Sequence, residues 1–301
     1  MANPIPTINI IGAGRLGKSL AKLWHSKGLV KIARVCNRSR ESAQEATHFI
    51  GAGTAADNLA TLPPATLWLV ATADGEIEAV AKQLASHNIV TRGDVVFHCS
   101  GSLSSGCLTS LRNQGAHTAS VHPIHSFADP QTTQQTFAGT HCACEGDEDA
   151  LRRITPLFER IGGNTFTLAS STRKALYHSA TVMACNYLVT LQESALSMLQ
   201  QAGIERKKGL ELLAPIVRQT ADNIATKGTV SALTGPLARG DSNTIRQHIA
   251  AMQQFSPEQL GLYQQLGKHT LSLAQQQGSA SIEQLQIIEQ LLSATAEVDH
   301  E

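Results

Sequence analysis

Hydrophobic positions in the first half of the chain form short apolar runs separated by stretches with helical spacing. The runs with strand character, bounded by Gly, Pro, Asn or Asp, are TINIIG, KIARVCN, TLWLVAT, DVVFHCS and HTASVHPI. Between the first two, GRLGKSLAKLWHSKG places apolar residues on one helical face and ends at Gly28. Two later runs, THCACEG and NTFTLAS, continue the pattern around a helix near 149–161. This alternation predicts a largely parallel sheet with crossover helices.

Helical signals replace strand signals beyond about residue 169. The segment SPEQLGLYQQLGKHTLSLAQQQG opens with Ser256 as N-cap, Pro257 at the first helical position and Gln259 completing a capping box. SIEQLQIIEQLL repeats this logic from Ser281 and Gln284. We therefore predict an α/β protein with a mostly parallel sheet domain over residues 1–168 and an all-helical domain over residues 169–301. The sequence between them has no loose linker, so we expect the domains to pack tightly and enclose a cleft.

A glycine motif follows the first predicted strand and opens the first helix. Gly12, Gly14 and Gly17 form G-x-G-x-x-G, which allows a tight turn, close approach of a pyrophosphate and close helix packing. The helix N-terminus can hold the anion. This context favours a dinucleotide-binding, Rossmann-type domain over glycines that only shape a turn, with Arg15 and Leu16 in the same binding loop.

The end of the second predicted strand indicates which dinucleotide is bound. NAD-binding proteins place an acidic residue there to grip the ribose hydroxyls, whereas this chain has Asn37, Arg38 and Ser39. Arg38 can form bidentate bonds to a 2′-phosphate, and its neighbours can donate to it. We predict NADP(H), the alternative being a solvated basic turn. The loop after TLWLV is expected to run beneath the nicotinamide ribose through Ala71, Thr72 and Asp74.

Composition restricts the possible partners. Lys+Arg and Asp+Glu are equal at 24 each and aromatic residues make up 4%, so neither nucleic acid nor an anionic membrane is an expected partner. The N-terminus lacks the basic region of a signal peptide and no apolar run approaches a membrane span, which predicts a cytoplasmic protein. The six cysteines are scattered without C-x-x-C, so we predict neither a disulfide framework nor a metal site.

Two strand ends carry polar residues where ligands of open α/β sheets bind. Ser100 and Ser102 follow one strand and could donate to a substrate carboxylate or carbonyl oxygen. His122, which precedes Pro123, could do the same or transfer a proton near neutral pH. Alternatively, the His-Pro pair is a fixed structural turn.

The helical stretch RKALYHSATVMACN carries a cation and an imidazole on an otherwise apolar segment. Lys174, His178 and Thr181 share one helical face, whereas Asn186 is rotated away from Lys174. Hydride addition to C=O or C=N leaves negative charge on the heteroatom, which requires a nearby proton donor or cation. We predict that Lys174 and His178 face the reacting carbon. Otherwise Lys174 snorkels to water and His178 is a hydrogen-bonded core residue.

A Gly/Pro loop in the helical half, LTGPLARGD, contains a second candidate cation. Arg239 could bind a substrate carboxylate bidentately, with Asp241 orienting it. Alternatively, Asp241 caps the following helix and Arg239 pairs with it.

The motifs GAGRLG, NRS, HCSGSLSS, SVHPIHSF, KALYHSATVMACNYLV and LTGPLARGD together resemble a bacterial family with a Rossmann-like domain followed by a C-terminal domain of unknown function. That family is similar to ketopantoate reductase, β-hydroxyacid dehydrogenase, pyrroline-5-carboxylate reductase and prephenate dehydrogenase. The resemblance implies a nicotinamide cofactor, an oxyanion role for Lys174 and a substrate contact for His122. His178 stands where the ketopantoate and β-hydroxyacid enzymes have asparagine.

Residues and resemblance together predict an NADPH-dependent reductase of a small 2-oxo acid, similar to ketopantoate reductase. Lys174 is the predicted acid or oxyanion stabiliser, assisted by His178 and His122, with Ser100 and Arg239 holding the substrate carboxylate. One alternative is reduction of a cyclic imine acid, in which Lys174 matters less because an iminium arrives protonated. Another is an NADP-binding sensor or scaffold without turnover. A homodimer through the helical domain is expected.

Overall fold

The computed structural model describes residues 4–169 and 171–294 of the chain, which forms two compact units, 1–184 and 185–301. The N-terminal unit is built on one eight-stranded sheet of order β3-β2-β1-β4-β5-β6-β7-β8. Its strands are β1 (Thr7–Ile11), β2 (Lys31–Cys36), β3 (Thr54–Ala56), β4 (Leu67–Val70), β5 (Val95–His98), β6 (His117–Pro123), β7 (His141–Gly146) and β8 (Asn164–Thr167). Neighbouring strands pair in parallel, except that β6 and β7 are antiparallel. The predicted mostly parallel sheet is therefore confirmed.

Helices connect these strands and cover both faces of the sheet. They are α1 (Arg15–Ser26), α2 (Arg40–Ile50), α3 (Asp74–Ser86), α4 (Thr109–Arg112), α5 (Pro130–Thr136), α6 (Glu148–Arg160) and α7 (Lys174–Thr181). On one face, Trp24 of α1 and Phe158 of α6 pack edge-to-face with ring centroids 5.4 Å apart. On the other face, α3 and α4 pack on the sheet through a second apolar cluster that includes Ile77 and Leu111.

The alternation of β6 sets the position of the polar residues. Ala119 and Val121 join the apolar cluster of Trp24 and Phe158, so the residues between them point to the opposite face. Because β6 is in register with its neighbours, Ser120 lies beside His98 of β5 and opposite Glu145 of β7. A polar row therefore crosses three adjacent strands, and all three of its residues are buried.

The C-terminal unit is all-helical in its described part, as predicted. One π-helical turn, Val182–Asn186, leads into α8 (Tyr187–Gln201), α9 (Arg206–Ala232), α10 (Pro236–Arg239), α11 (Ser242–Phe255), α12 (Pro257–Gln277) and α13 (Ile282–Ser293). Ile245, Ile288 and Leu292 form the centre of a small core. None of the helices in the described ranges combines the length and apolarity that crossing a membrane requires.

One of the two predicted capping boxes is present at the start of its helix. The box at Ser281 and Gln284 is confirmed, since each side chain bonds the other residue's backbone N–H. The box at Ser256 is wrong: its hydroxyl makes no cap bond and lies 3.2 Å from a Glu258 oxygen. Ser256 also directly follows α11, and its φ of −153° and ψ of 54° lie outside the extended region that an N-cap residue usually adopts.

The compact units divide later than the sequence boundary. The predicted boundary after residue 168 follows the last strand, β8, whereas the contacts divide the chain between Ala184 and Cys185. The reason is that α7 attaches to the sheet, because Lys174 is bonded to Ser120 and Glu145. Lys174, His178 and Thr181 therefore belong to the N-terminal unit.

Candidate functional site

The glycine turn after β1 is shaped by close backbone contacts. Gly12 has φ +83°, and a Cβ there would lie 2.6 Å from the backbone nitrogen of Thr72. A Cβ on Gly17 would lie 2.9 Å from the Gly12 carbonyl oxygen and 3.2 Å from the Ala71 side chain. Any larger residue at Gly12 would therefore combine left-handed strain with a backbone clash. These contacts join the turn to the loop after β4.

Gly14 has the opposite surroundings, since a Cβ there would meet nothing within 4 Å. It is the N-cap of α1, where no side chain caps the helix and the first turn carries no acidic residue. The free N–H groups of Arg15, Leu16 and Gly17 can therefore bind an anion, which the helix dipole also favours. Nearby, the Thr72 hydroxyl oxygen is buried and has no hydrogen-bond partner among the described residues. An uncapped helix, open space and an unpaired hydroxyl fit a dinucleotide diphosphate.

The end of β2 lies beside the glycine turn. Asn37 accepts a bond from Ala13 N at 2.7 Å through Oδ1, and its Nδ2 donates to Ser42 Oγ at 2.9 Å. Ser39 caps α2 by accepting from Ser42 N. Arg38 is exposed and pairs with no carboxylate in the described part of the chain, unlike Arg40, which bonds Asp57. Asn37 and Ser39 thus organise the turn, and Arg38 is its available cation.

Asp74, the first residue of α3, holds both serines of the loop after β5. Its Oδ2 accepts from Ser100 Oγ at 2.7 Å and from Ser102 Oγ at 3.0 Å. Each hydroxyl has one proton, so in this arrangement neither serine donates to a substrate carboxylate as predicted. Their role here is to tie the β5 loop to the β4 loop, and hence to the glycine turn.

His98, at the end of β5, fixes the backbone of this serine loop. Its Nδ1 accepts from Ser100 N at 3.1 Å and its Nε2 donates to Ser104 O at 3.2 Å, which requires the neutral Nε2–H tautomer. Burial, with a smaller contribution from Lys174, lowers the pKa of His98 to about 4. The ring is therefore uncharged at neutral pH and serves the loop geometry.

Two further histidines meet above Gly101. A Cβ on Gly101 would lie 2.2 Å from His178 Nδ1 and 2.9 Å from His122 Nε2, so the absence of a side chain makes room for both rings. The rings are edge-to-face with centroids 5.4 Å apart. Thr181 Oγ1 donates to the His178 carbonyl at 2.8 Å and lies 3.3 Å from its Nδ1. Residues from β6, from α7 and from the loop after β5 are thus brought together.

Tyr177 orients His122. Its hydroxyl is 2.9 Å from His122 Nδ1. Burial, then His178 and Lys174, lower the pKa of His122 to about 4, and burial raises the pKa of Tyr177 to about 12. Both groups are therefore uncharged near pH 7, and His122 acts as a hydrogen-bonding group.

Lys174 is buried, with 1% of its surface exposed. Its Nζ donates to Ser120 Oγ and lies 3.5 Å from Glu145 Oε1. Burial lowers the pKa of Lys174, and the Glu145 carboxylate opposes that shift. An ion pair thus compensates the buried charge, and the ammonium lies close enough to act on the pKa of His122. Lys174 does not snorkel to water.

The three predicted substrate residues of the C-terminal unit have separate surroundings. Asp241 caps α11, accepting from Thr244 N at 3.0 Å and from Thr244 Oγ1 at 2.7 Å. Bonds from Thr244 lower the pKa of Asp241, and the charge of Arg239 adds to this. Asp241 therefore has the capping role that was the alternative. Arg239 and Asn186 are exposed.

Sequence reasoning missed Glu145, Tyr177 and His98 as members of this site. The signal for Glu145 was present, since CACEG places a carboxylate in an otherwise apolar strand, where a charge needs a partner. Tyr177 stands next to His178 in the same helical segment, and His98 directly precedes the serine loop. Their contacts depend on strand register, which was not predicted.

Comparisons with known proteins agree with this architecture. Residues 2–123 match the family model of a Rossmann-like domain, and residues 140–270 match that of the domain of unknown function DUF2520. No curated protein matches the sequence significantly.

Solved structures share the fold over nearly their whole length. A Bacteroides fragilis protein described as a candidate NADP oxidoreductase is 22% identical, with TM-score 0.74, over 89% of this chain and 98% of its own. A Thermotoga maritima protein is 26% identical, with TM-score 0.69, over 90% and 99%. A Myxococcus stipitatus imine reductase, solved with NADP+, is 18% identical, with TM-score 0.61, over 93% and 99%. The chain therefore has a fold that occurs in oxidoreductases.

Proposed function

We propose that this chain, which joins a Rossmann-like domain to a domain of the DUF2520 family, is an NADPH-dependent reductase of a small 2-oxo acid. One observation carries the proposal: a series of contacts connects the glycine turn with a cluster of hydrogen-bonding side chains. Gly12 touches Thr72, Asp74 binds Ser100, and Gly101 lies beneath the two histidines. A dinucleotide bound at the turn and a substrate at the histidines would then be neighbours.

The position of the glycine turn indicates which residues would hold NADPH. The N–H groups at the start of α1 take the diphosphate, together with the exposed cation of Arg15. Arg38 takes the 2′-phosphate, supported by Asn37 and Ser39, as the sequence predicts. The loop containing Ala71, Thr72 and Asp74 borders the nicotinamide ribose. When bound, NADPH supplies the hydride.

The side chains of the protein act on the substrate carbonyl oxygen, which becomes negatively charged and must take up a proton. Hydride adds to the carbonyl carbon, the π electrons move to oxygen, and the alkoxide takes one proton. In the tautomer in which Tyr177 donates to His122 Nδ1, the Nε2–H group lies on the Gly101 side and can bond the oxygen, with His178 beside it. Lys174 stabilises the negative charge and is the proton source. Arg239, an exposed cation, is the proposed partner of the substrate carboxylate.

Reduction of a cyclic imine acid is the second candidate. The observation that favours it is that two of the three possible N–H donors of Lys174 are already directed at Ser120 and Glu145. An iminium substrate brings its own proton, so it has less need of this lysine. The Myxococcus imine reductase of similar fold supports keeping this alternative.

The decisive experiment is a spectrophotometric screen of NADPH oxidation over small 2-oxo acids and cyclic imino acids. We expect turnover with a 2-oxo acid. Turnover confined to imines would select the second candidate. NADPH binding without turnover across the whole panel would favour a sensor or scaffold and overturn the proposal.

Replacing Arg38 by alanine should weaken NADPH binding about 10- to 100-fold and leave NADH binding within about twofold. Charge-assisted hydrogen bonds contribute roughly 1.5–3 kcal/mol, and only NADPH carries the 2′-phosphate. Fluorescence titration with both cofactors measures the two dissociation constants. Arg152→Ala, which removes an exposed arginine on α6, is the matched control. An equal loss for both cofactors would contradict the assignment.

We further propose a homodimer formed through the helical domain. The proposal is supported by the exposure of α9. This helix runs from Arg206 to Ala232, and its buried residue is Gly209. Apolar side chains on α8 and α9 are exposed, among them Val189 at 70% and Ile216 at 58%. Exposed apolar surface of this kind is typical of an interface. Sedimentation equilibrium should give twice the chain mass, and Ile216→Glu should lower it, whereas a monomeric wild-type protein would refute the dimer.

A further inference from the structure

The buried lysine lies over a pair of residues that strand register places opposite each other. Ser120 of β6 and Glu145 of β7 are antiparallel partners, so their side chains emerge side by side on one face of the sheet. The Lys174 ammonium contacts both, donating to the hydroxyl and lying 3.5 Å from the carboxylate. The position of Lys174 is therefore fixed by contacts with two neighbouring strands.

Glu145 is itself held firmly. Ser105 N donates to Oε1 at 2.7 Å, and Ser105 Oγ donates to Oε2 at 2.9 Å. Ser105 thus donates to each carboxylate oxygen, and the ammonium lies near Oε1. Glu145 is 6% exposed. Hydrogen bonds to both oxygens hold the carboxylate in one position beside the ammonium.

Without this carboxylate the lysine would lose its charge more readily. Burial penalises an ammonium, and Glu145 provides the largest opposing effect at Lys174. A neutral amine would neither stabilise an alkoxide nor provide its proton. The charge state of Lys174, and with it the proposed chemistry, therefore depends on a residue of β7, the strand next to that of His122.

We propose that Glu145 is a positioning residue that, on the basis of the proposed function, keeps Lys174 charged and aligned beside Ser120 for the reaction. Ser105 in turn holds the Glu145 carboxylate in position through its two hydrogen bonds. Among the described residues, the hydrogen bonds and the ion pair of Glu145 are made with Ser105 and Lys174, so its effect on the reaction is exerted through Lys174.

The surroundings of Glu145 make a direct test practicable. Glu145 lines a cavity of about 420 Å³ together with Ser104, Ser105, Gly106 and Arg112. A truncated side chain at this position would leave room, reachable from the cavity, for a small carboxylate. Formate is therefore a suitable probe for chemical rescue.

The first test measures the charge of Lys174 without turnover. In protein with isotope-labelled lysine, NMR follows the titration of its Nζ, and Lys174→Arg identifies the signal. We expect Glu145→Gln to lower the pKa of Lys174 by roughly 1–3 units, since an opposite charge at this distance has that effect. Glu148→Gln, which removes an exposed carboxylate from the same unit, should leave the titration unchanged. An unchanged titration in Glu145→Gln overturns the proposal, whether or not the screen finds a substrate.

The second test uses NADPH oxidation by the full chain with the substrate found in the screen. Glu145→Ala should lower kcat about 10-fold or more with the NADPH KM within about twofold, and formate should restore much of the lost rate. Lys174→Ala should show no such rescue. Should Glu145→Gln not fold, the titration is measured in Glu145→Ala, and Glu145→Asp, which keeps the charge, should shift the Lys174 pKa less than Glu145→Ala does. Loss of kcat that formate never restores, with an unshifted Lys174 titration, would indicate a merely structural role and overturn the proposal.

Discussion

Replacing Gly14 by valine should weaken NADPH binding by roughly 100-fold or more while leaving the folded protein intact. No atom lies within 4 Å of the added Cβ, and φ −69° with ψ −158° is extended backbone that any residue can adopt. The side chain would therefore occupy the space that the diphosphate needs without disturbing the chain. Losing two charge-assisted bonds to helix N–H groups costs about 3 kcal/mol or more, which sets the size of the effect. Isothermal titration with NADPH measures it.

Two other glycines provide the controls for this prediction. Gly75 on α3 also has open space around it, so Gly75→Ala should bind NADPH like the wild-type protein. Gly12→Ala places a Cβ 2.6 Å from the backbone of Thr72 at φ +83° and should lower the melting temperature together with affinity. Wild-type affinity in a folded Gly14→Val protein would mean that no dinucleotide binds at this turn.

Local patterns were sufficient for most of the sheet. The strands β1, β2, β4, β5 and β6 were predicted from short apolar runs, and most of their residues are buried, as in a sheet covered on both faces. The short strand Thr54–Ala56 was not predicted, because three small residues carry neither periodicity nor apolar weight. The cap at Ser256 failed for a different reason. Its backbone is set by the junction between two helices, which a local motif does not encode.

The residues of the site were predictable only where they lie close together in the sequence. Glycine spacing predicted the turn, and helical spacing placed Lys174 and His178 on one face. The partners of these residues are non-local: Ser100 binds Asp74, 26 positions earlier, and Lys174 meets Ser120, 54 positions earlier. Only the antiparallel register of β6 and β7 brings Glu145 to the lysine. A single sequence contains no measure of that register.

Replacing Lys174 by methionine should lower kcat for a 2-oxo acid by about 10²–10⁴-fold, the usual contribution of positioned acid catalysis. The NADPH dissociation constant should stay within about threefold, because Lys174 has no contact with the glycine turn. With a cyclic imine the loss should stay below about tenfold, since that substrate arrives protonated. Steady-state kinetics on both substrate classes therefore distinguish the proposed function from its second candidate.

Stability must be separated from catalysis in this variant. Removing Lys174 leaves the buried Glu145 carboxylate without its counter-charge, which costs about 3–5 kcal/mol in unfolding free energy. The double variant Lys174→Met with Glu145→Gln should recover part of that stability in urea unfolding but none of the lost kcat. Lys82→Met is the matched control, because its pair with Glu78 is exposed and contributes little to stability. If the double variant regained full turnover of a 2-oxo acid, the lysine would have no chemical role, and the histidines with Tyr177 would have to supply the proton.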